Sequence, residues 1–208
     1  MQRNVLEYLE ETVKRVPDKI AFANDKTQLT FQQFSDDIRA IGSELIRKGY
    51  QKEPVLIYMN KSPEALEGFF GVIESGCFYV PLDEEMPKRR IELIIENTKA
   101  RVIICDQENL KRVKELPFDG EIMLHEELAK KREDKEKLDK VRRTALDTDP
   151  LYVLFTSGST GMPKGVVGHH RGVIDYIDQL SAVLDFDKES VFGNQAPLYF
   201  DACMKDIY

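Results

Sequence analysis

The sequence predicts an α/β fold in which βαβ units build a largely parallel sheet flanked by helices. Short apolar runs such as Pro54–Met59 and Arg101–Cys105 alternate with segments such as Glu64–Glu74, whose apolar residues recur at helical spacing. Alternation of this kind is typical of parallel sheets, and right-handed crossovers place helices on both faces of such a sheet.

The composition indicates an ordinary globular protein. The 208 residues are 42% hydrophobic and 32% charged, and the net charge of −7 argues against a generic nucleic-acid binder. The charged N-terminus is no signal peptide, and no apolar run approaches membrane-spanning length. The three cysteines and three histidines show no metal-ligand spacing. We therefore expect a cytoplasmic protein without a nucleic-acid partner, a membrane partner or a metal site.

The first fifty residues predict two helices separated by a strand. Apolar residues at helical spacing indicate the first helix, with Asn4 as its N-cap and Pro17 just past its end. Ile20–Ala23 is predicted to be a strand. Gln28–Phe31 then leads into an amphipathic helix that continues to about Lys48.

The middle of the chain continues the alternation. Ser62 suits the N-cap and Pro63 the first position of the next helix. The following predicted elements are the strand Cys77–Leu82, the helix Pro87–Asn97, the strand Arg101–Cys105, the helix Asp106–Glu115 and the short strand Glu121–Leu124. Glu126–Arg143 carries dense mixed charge, which favours a solvated helix or a mobile linker over a partner-binding surface.

The stretch LYVLFTSGSTGMPKGVVGHHR, from Leu151 to Arg171, is the most informative. Leu151–Phe155 is predicted to be a buried strand, Thr156–Gly165 a loop, and Val166–Val167 the start of another strand. The loop suits a polyphosphate, because glycines let the backbone approach an anion, hydroxyls donate hydrogen bonds and a lysine supplies positive charge. The loop residues predicted to bind phosphate are Thr156, Ser157, Gly158, Ser159, Thr160, Gly161, Lys164 and Gly165.

Two better-known phosphate loops do not match this one. A Walker A loop ends in Gly-Lys-Ser/Thr, whereas Pro163-Lys164-Gly165 stands here. A dinucleotide fingerprint needs G-x-G-x-x-G at the start of a helix, and none is present. The alternative of a plain surface loop or hairpin is disfavoured by the order of these residues directly after a buried strand.

FTSGSTGMPKG resembles the phosphate-loop signature of the adenylate-forming, or AMP-binding, superfamily. Two earlier stretches are similar to further motifs of that superfamily: LTFQQFSDDIRAIGSELIRKG, and GVIESGCFYVPLDEEMPKRRIELIIENT, in which Arg90 matches an arginine with a largely structural role. The superfamily includes amino-acid adenylation domains of nonribosomal peptide synthetases, acyl- and aryl-CoA ligases, luciferases and D-alanine-activating ligases.

Beyond the loop, His170–Leu184 is predicted to be a helix and Ser190–Ala196 a strand. His170 falls where the family pattern has a histidine, for which the resemblance implies a structural or nucleotide-adjacent role. His169 is expected to be exposed.

The last stretch, NQAPLYFDACMKDIY, resembles the family's substrate-side motif. The resemblance implies that Asp201, preceded by Phe200, pairs with the ammonium group of an amino-acid substrate, a charge-assisted contact that a fatty acid would leave unsatisfied. The alternative is that Asp201 only caps a terminal helix. Lys205, four residues later, is either an ion-pair partner of Asp201 or a pocket residue.

The resemblance implies an AMP-forming ligase with ATP and Mg²⁺ as cofactors. An amino acid becomes an aminoacyl-adenylate, pyrophosphate is released, and the acyl group passes to the phosphopantetheine thiol of a carrier protein. Lys164 and Thr156 are the candidate catalytic residues, because stabilising charge on the departing pyrophosphate is electrostatic catalysis. An acyl- or aryl-CoA ligase and a non-catalytic nucleotide-binding module remain alternatives.

The resemblance also predicts the domain organisation. Residues 1–208 would form the first part of a large N-terminal adenylation domain, with a variable charged segment at about 126–146 and the phosphate loop at 156–165. The rest of that domain and a small C-terminal domain, which carry the family's later motifs, lie outside this sequence. We therefore expect the 208 residues alone to be inactive.

Overall fold

The computed structural model describes residues 2–156, 162–187 and 189–208. The helices in these ranges are α1 (Leu6–Arg15), α2 (Phe31–Arg47), α3 (Pro63–Glu74), α4 (Lys88–Thr98), α5 (Leu110–Lys114), α6 (His125–Leu128), α7 (Lys135–Thr144), α8 (His170–Leu184) and α9 (Met204–Ile207), with a 3₁₀ turn at Asp201–Cys203. The strands are β1 (Ile20–Ala23), β2 (Gln28–Thr30), β3 (Pro54–Tyr58), β4 (Phe78–Leu82), β5 (Val102–Cys105), β6 (Glu121–Leu124), β7 (Pro150–Thr156) and β8 (Lys164–His169).

A six-stranded sheet with the strand order β6-β5-β3-β4-β7-β8 forms the centre of the fold. All neighbours pair in parallel except β8, which runs antiparallel to β7 at one edge. The predicted α/β fold with a largely parallel sheet is therefore confirmed. The strands β1 and β2 form a separate antiparallel pair. The segment that precedes α2 is therefore itself a strand, which the sequence did not predict.

Both faces of the sheet are covered by helices. Alternate residues of β3 point to opposite faces: Val55 and Ile57 join the core beneath α1, α2 and α3, whereas Leu56 and Tyr58 join the core beneath α4 and α5. Buried residues on both faces explain why β3 and β5 are continuous apolar runs in the sequence.

Helix ends follow the predicted capping chemistry. The Ser62 hydroxyl accepts from the Ala65 N–H at 3.2 Å, with Pro63 at the first helical position. The Asn4 side chain accepts from the Leu6 N–H at 3.0 Å at the start of α1. The predicted helix Asp106–Glu115 is shorter than expected, because the Asp106 carboxylate caps a turn before α5.

The charged segment is a docked helix and not a mobile linker. In α7, Leu138 is buried, and the N–H of Asp134 ahead of it donates to the Ser43 hydroxyl at 2.8 Å. The Arg142 guanidinium lies 2.9 Å from the Glu10 carboxylate and 3.7 Å from the buried Glu74 carboxylate. The helical alternative is therefore confirmed for α7, in which most of the charged side chains are exposed and Arg142 faces the core helices.

The predicted strand Ser190–Ala196 is wrong, because the structure shows no strand over these described residues. Carbonyl oxygens there are taken by a lysine and not by a neighbouring strand: Lys61 Nζ donates to Asn194 O at 2.7 Å and to Ala196 O at 3.1 Å. Among the described residues, no helix has the length and apolar character that crossing a membrane requires.

Candidate nucleotide and substrate site

The predicted phosphate loop joins β7 to β8 at the edge of the sheet. The loop residues Ser157, Gly158, Ser159, Thr160 and Gly161 lie outside the described residues. Its two ends are paired, with Thr156 opposite Lys164 and Phe155 opposite Gly165, and Thr156 Oγ1 lies 3.4 Å from Lys164 O. The predicted loop therefore does connect the two strands of an antiparallel hairpin, the arrangement that the sequence disfavoured. This hairpin brings the candidate catalytic residues Thr156 and Lys164 to one place.

Lys164 and Gly165 begin the strand β8 and do not belong to the loop itself, which corrects the predicted boundary. The Lys164 side chain forms no ion pair or hydrogen bond with the residues that the structure describes, and its residue is exposed. Gly165 serves close packing, since a Cβ there would lie 2.8 Å from Val153 Cγ1. An exposed, unpaired ammonium beside a loop rich in hydroxyls and N–H groups is suited to an anion.

The two histidines after β8 have different surroundings. His169 is exposed, as predicted, and its Nδ1 caps α8 by accepting from the Gly172 N–H at 2.9 Å. His170 is buried, and its Nδ1 accepts from the Val5 N–H at 3.3 Å. His170 therefore ties the first helix to α8, which supports the structural role.

Acid should weaken the hydrogen bond between the Val5 N–H and His170. Burial and the nearby Arg142 charge lower the pKa of His170 to about 4, from 6.5. Because the pKa is lower in the folded state, the stabilisation is complete above about pH 6.5 and is lost as the pH falls towards 4. The variant His170→Asn keeps an acceptor for the Val5 N–H but does not titrate. Between pH 6.5 and pH 4 its free energy of unfolding, measured in urea, should therefore fall by less than that of the wild type.

His169→Asn is the matched control, since it keeps a capping acceptor at the neighbouring position and leaves His170 in place. The control should retain the wild-type loss of stability in acid. Equal pH dependence in His170→Asn and in the wild type would contradict the role of the buried imidazole.

Asp201 lies at a cavity of about 380 Å³ between β8, α8 and the last helical turn of the chain. The cavity is lined by Tyr152, Val167, Gly168, His169, Gly172, Val173, Tyr176, Asp201, Ala202 and Met204. The Asp201 residue is exposed, and its carboxylate makes no hydrogen bond or ion pair with the described part of the chain. The 3₁₀ turn and α9 both start without a side-chain cap, so the alternative of a capping role is not supported.

The two neighbours predicted to bind substrate are placed differently. Phe200 is 53% exposed, with its ring 5.2 Å from that of Tyr199. Lys205 Nζ lies 3.9 Å from an Asp206 carboxylate oxygen and forms no pair with Asp201 in the described residues, so the alternative of an Asp201–Lys205 ion pair is not supported. Lys205 is also not among the cavity-lining residues. Contacts of Phe200 and Lys205 with substrate stay predictions.

Several residues that support the final turn were not singled out from the sequence. Asp206 accepts from Asn194 Nδ2 at 2.9 Å, and Lys61 holds the backbone of the same segment. The hydroxyls of Tyr208 and Tyr79 are 3.1 Å apart, and the Tyr79 ring stacks on Phe69. The contacts of Lys61 and Tyr208 join residues more than a hundred positions apart, and no local pattern indicates them.

No group of three or more His, Cys, Asp or Glu residues in the described ranges is arranged to hold a metal ion. Lys164, in contrast, places an exposed positive charge beside the predicted phosphate loop. The described residues therefore provide a cation suited to an anion and no cluster of carboxylates for Mg²⁺.

Comparison with protein families matches residues 9–208 to the family described as AMP-binding enzyme. This chain belongs to the AMP-binding enzyme family. The match begins inside α1 and covers the sheet, the phosphate loop and the turn at Asp201. The resemblance carried by FTSGSTGMPKG is thereby confirmed.

Curated relatives of this AMP-binding enzyme chain include large synthases. Gramicidin S synthase 1 of Brevibacillus brevis is 28% identical over 207 residues, which are 99% of this chain and 19% of that protein. Indigoidine synthase of Streptomyces lavendulae is 31% identical over 202 residues, covering 96% of this chain and 16% of that protein. The chain thus spans a small part of the relatives that it matches.

Solved structures show the same fold. The nonribosomal peptide synthetase FmoA3 superposes with a TM-score of 0.83 at 23% identity, over 98% of this chain and 21% of that chain. VinN superposes with a TM-score of 0.83 at 19% identity, over 100% of this chain and 57% of that chain. The architecture of this AMP-binding enzyme chain is therefore shared across that structural group.

Proposed function

We propose that the protein containing this chain uses ATP to convert an amino acid to an aminoacyl-adenylate, with release of pyrophosphate. The relatives named above are synthases, and FmoA3 is solved with α-methyl-L-serine-AMP bound. The chain spans only 19% of gramicidin S synthase 1, so the activity is inferred from the family and from this chain's own residues.

The ATP phosphates are assigned to the loop between β7 and β8. Ser157, Gly158, Ser159, Thr160 and Gly161 would donate hydrogen bonds to phosphate oxygens, and Gly165 keeps the hairpin close-packed. Lys164 and Thr156 would stabilise the negative charge that moves onto pyrophosphate as the carboxylate attacks the α-phosphorus. A structure of FmoA3 with AMPPNP supports nucleotide binding by this fold. Mg²⁺ would enter with ATP and neutralise part of the phosphate charge.

The observation that carries the choice of substrate is the Asp201 carboxylate, which lies at the cavity and has no partner among the described residues. The fold alone does not separate substrates, since VinN is solved with L-aspartate and Klebsiella oxytoca NpsA with 3-hydroxybenzoyl-AMSN. A carboxylate that has no partner in the described chain is suited to the α-ammonium of an amino acid. A non-amino acid would leave it without a counter-charge.

The wider assignment completes this proposal. Residues 1–208 would be the first part of a large N-terminal adenylation domain, with the variable segment at about 126–146 and the phosphate loop at 156–165. The acceptor would be the phosphopantetheine thiol of a carrier protein, in the cytoplasm, without nucleic-acid or membrane partners. A D-alanine-activating ligase is included in this proposal, because the final motif resembles that type.

Amino-acid-dependent ATP–pyrophosphate exchange by the complete protein tests the assignment, on a panel with D-alanine, L-glutamate, a fatty acid and an aryl acid. We expect exchange with an amino acid. Asp201→Asn should reduce it roughly 30-fold or more, because loss of one partner of a desolvated charge pair costs about 2–5 kcal/mol.

The matched control is Asp119→Asn. Asp119 is an exposed aspartate far from Asp201 in the sequence, and its replacement should leave exchange unchanged. Exchange only with fatty or aryl acids, unaffected by Asp201→Asn, would favour an acyl- or aryl-CoA ligase. Nucleotide binding without exchange on any acid would favour a non-catalytic module.

A further inference from the structure

An arginine on α4 bonds to the strand end that leads into the phosphate loop. Arg90 Nη2 donates to the carbonyl oxygen of Phe155 at 2.6 Å, across a separation of 65 residues. Phe155 directly precedes Thr156, the last residue of β7 before the predicted phosphate loop. Arg90 is half-buried, so this charge-assisted bond is only partly screened by solvent.

The carbonyl of Phe155 lies near the end of β7. The recorded pairing between β4 and β7 is at Tyr79 and Tyr152, three residues before Phe155. On the other side, β8 pairs through to Thr156. Arg90 therefore donates to a backbone carbonyl of β7 close to the point where the chain leaves the sheet.

The base of Arg90 is held firmly by the core. The next residue, Ile91, is 2% exposed and belongs to the same hydrophobic cluster as Phe155 and Val153. The Arg90 N–H also bonds to Pro87 O at 2.8 Å, at the start of α4. Because α4 and the end of β7 share one packed core, the guanidinium has a defined position relative to the end of β7.

We propose that Arg90 is a positioning residue for the phosphate loop: its guanidinium holds the Phe155 carbonyl and so fixes the end of β7, at Thr156, from which the loop leaves the sheet. The inference rests on the proposed ATP-binding role of the loop and assigns to α4 a part in it.

The test uses the complete protein and compares Arg90→Ala with Arg89→Ala. Arg89 precedes Arg90 in the same helix turn, and its 73% exposed side chain pairs only with Glu92 in the described residues. In Arg90→Ala, kcat/KM for ATP in the exchange reaction should fall about 10–100-fold, since a displacement of about 1 Å near the reacting groups can cost roughly 10²-fold. The KM for the amino acid should change less than twofold, and Arg89→Ala should match the wild type.

Two further measurements separate positioning from general destabilisation. Millimolar guanidinium should restore part of the ATP-dependent rate in Arg90→Ala but not in Lys164→Ala, and Arg90→Lys should keep an intermediate rate. An unchanged KM and kcat for ATP in Arg90→Ala would overturn the proposal. Equal losses of kcat/KM for ATP and for the amino acid, without rescue by guanidinium, would show that Arg90 has only a structural role. That result would also overturn the proposal.

The proposed reaction and the proposed role of Arg90 can be contradicted by different measurements. If the wild type shows no exchange with any acid, the proposed reaction fails, and AMPPNP binding by calorimetry then tests Arg90. A tenfold or larger rise in Kd for Arg90→Ala, with Arg89→Ala unchanged, would support positioning of the loop, and an unchanged Kd would overturn it.

Discussion

Lys164→Ala should lower ATP–pyrophosphate exchange by the complete protein roughly 10²–10³-fold, the usual effect of removing one preorganised donor from a site of developing negative charge. Lys164 is exposed at the start of β8 and has no partner among the described residues, so its ammonium is available to phosphate. Its loss should act on catalysis and leave the fold intact, because no described contact of the fold depends on its charge. Steady-state exchange kinetics with ATP as the varied substrate measure the effect.

Lys140→Ala is the control for charge alone, since Lys140 is an exposed lysine on α7, away from the hairpin. The control should keep full activity, and both variants should unfold at the wild-type urea concentration. A loss of less than threefold in Lys164→Ala would contradict the assignment of this lysine to the phosphates.

Gly71→Ala should lower the free energy of unfolding by about 1–3 kcal/mol, the usual cost of overfilling a packed core. Helices α2 and α3 approach closely here: a Cβ at Gly71 would lie 2.5 Å from Ile41 Cγ2 and 2.6 Å from Ile41 Cβ. Ile41 is fully buried, and its Cβ is attached to the α2 backbone, so the contact can be relieved only by moving the helix. A shift of the urea midpoint measures the loss.

Gly68→Ala, one turn earlier in α3, gives a matched comparison. A Cβ there would meet its nearest neighbour, Ile57 Cγ2, at 3.5 Å, an ordinary van der Waals contact. The higher helix propensity of alanine should make this variant equally stable or up to about 1 kcal/mol more stable. If both variants shifted the midpoint by the same amount, the close approach of α2 and α3 would not be the cause.

The elements that the sequence predicted well are those whose signals are local. Each of these elements depends on neighbours within a few positions of the chain. They are the side-chain caps at Asn4 and Ser62, the apolar runs of β3 and β5, and the helix His170–Leu184. The strand predicted over Ser190–Ala196 also has a local signal and is nevertheless wrong, because strand formation needs a partner. Lys61, far away in the chain, bonds to that backbone instead.

The α/β class, a predicted position for the phosphate loop and the candidacy of Lys164 and Asp201 all follow from periodicity and short motifs, which are properties of adjacent residues. Tertiary packing is what places Asp201 at a cavity without a partner among the described residues and Lys205 beside Asp206. It also brings Arg90 to Phe155. These contacts follow from the order and spacing of packed strands and helices, which bring distant residues together at positions that no local pattern specifies.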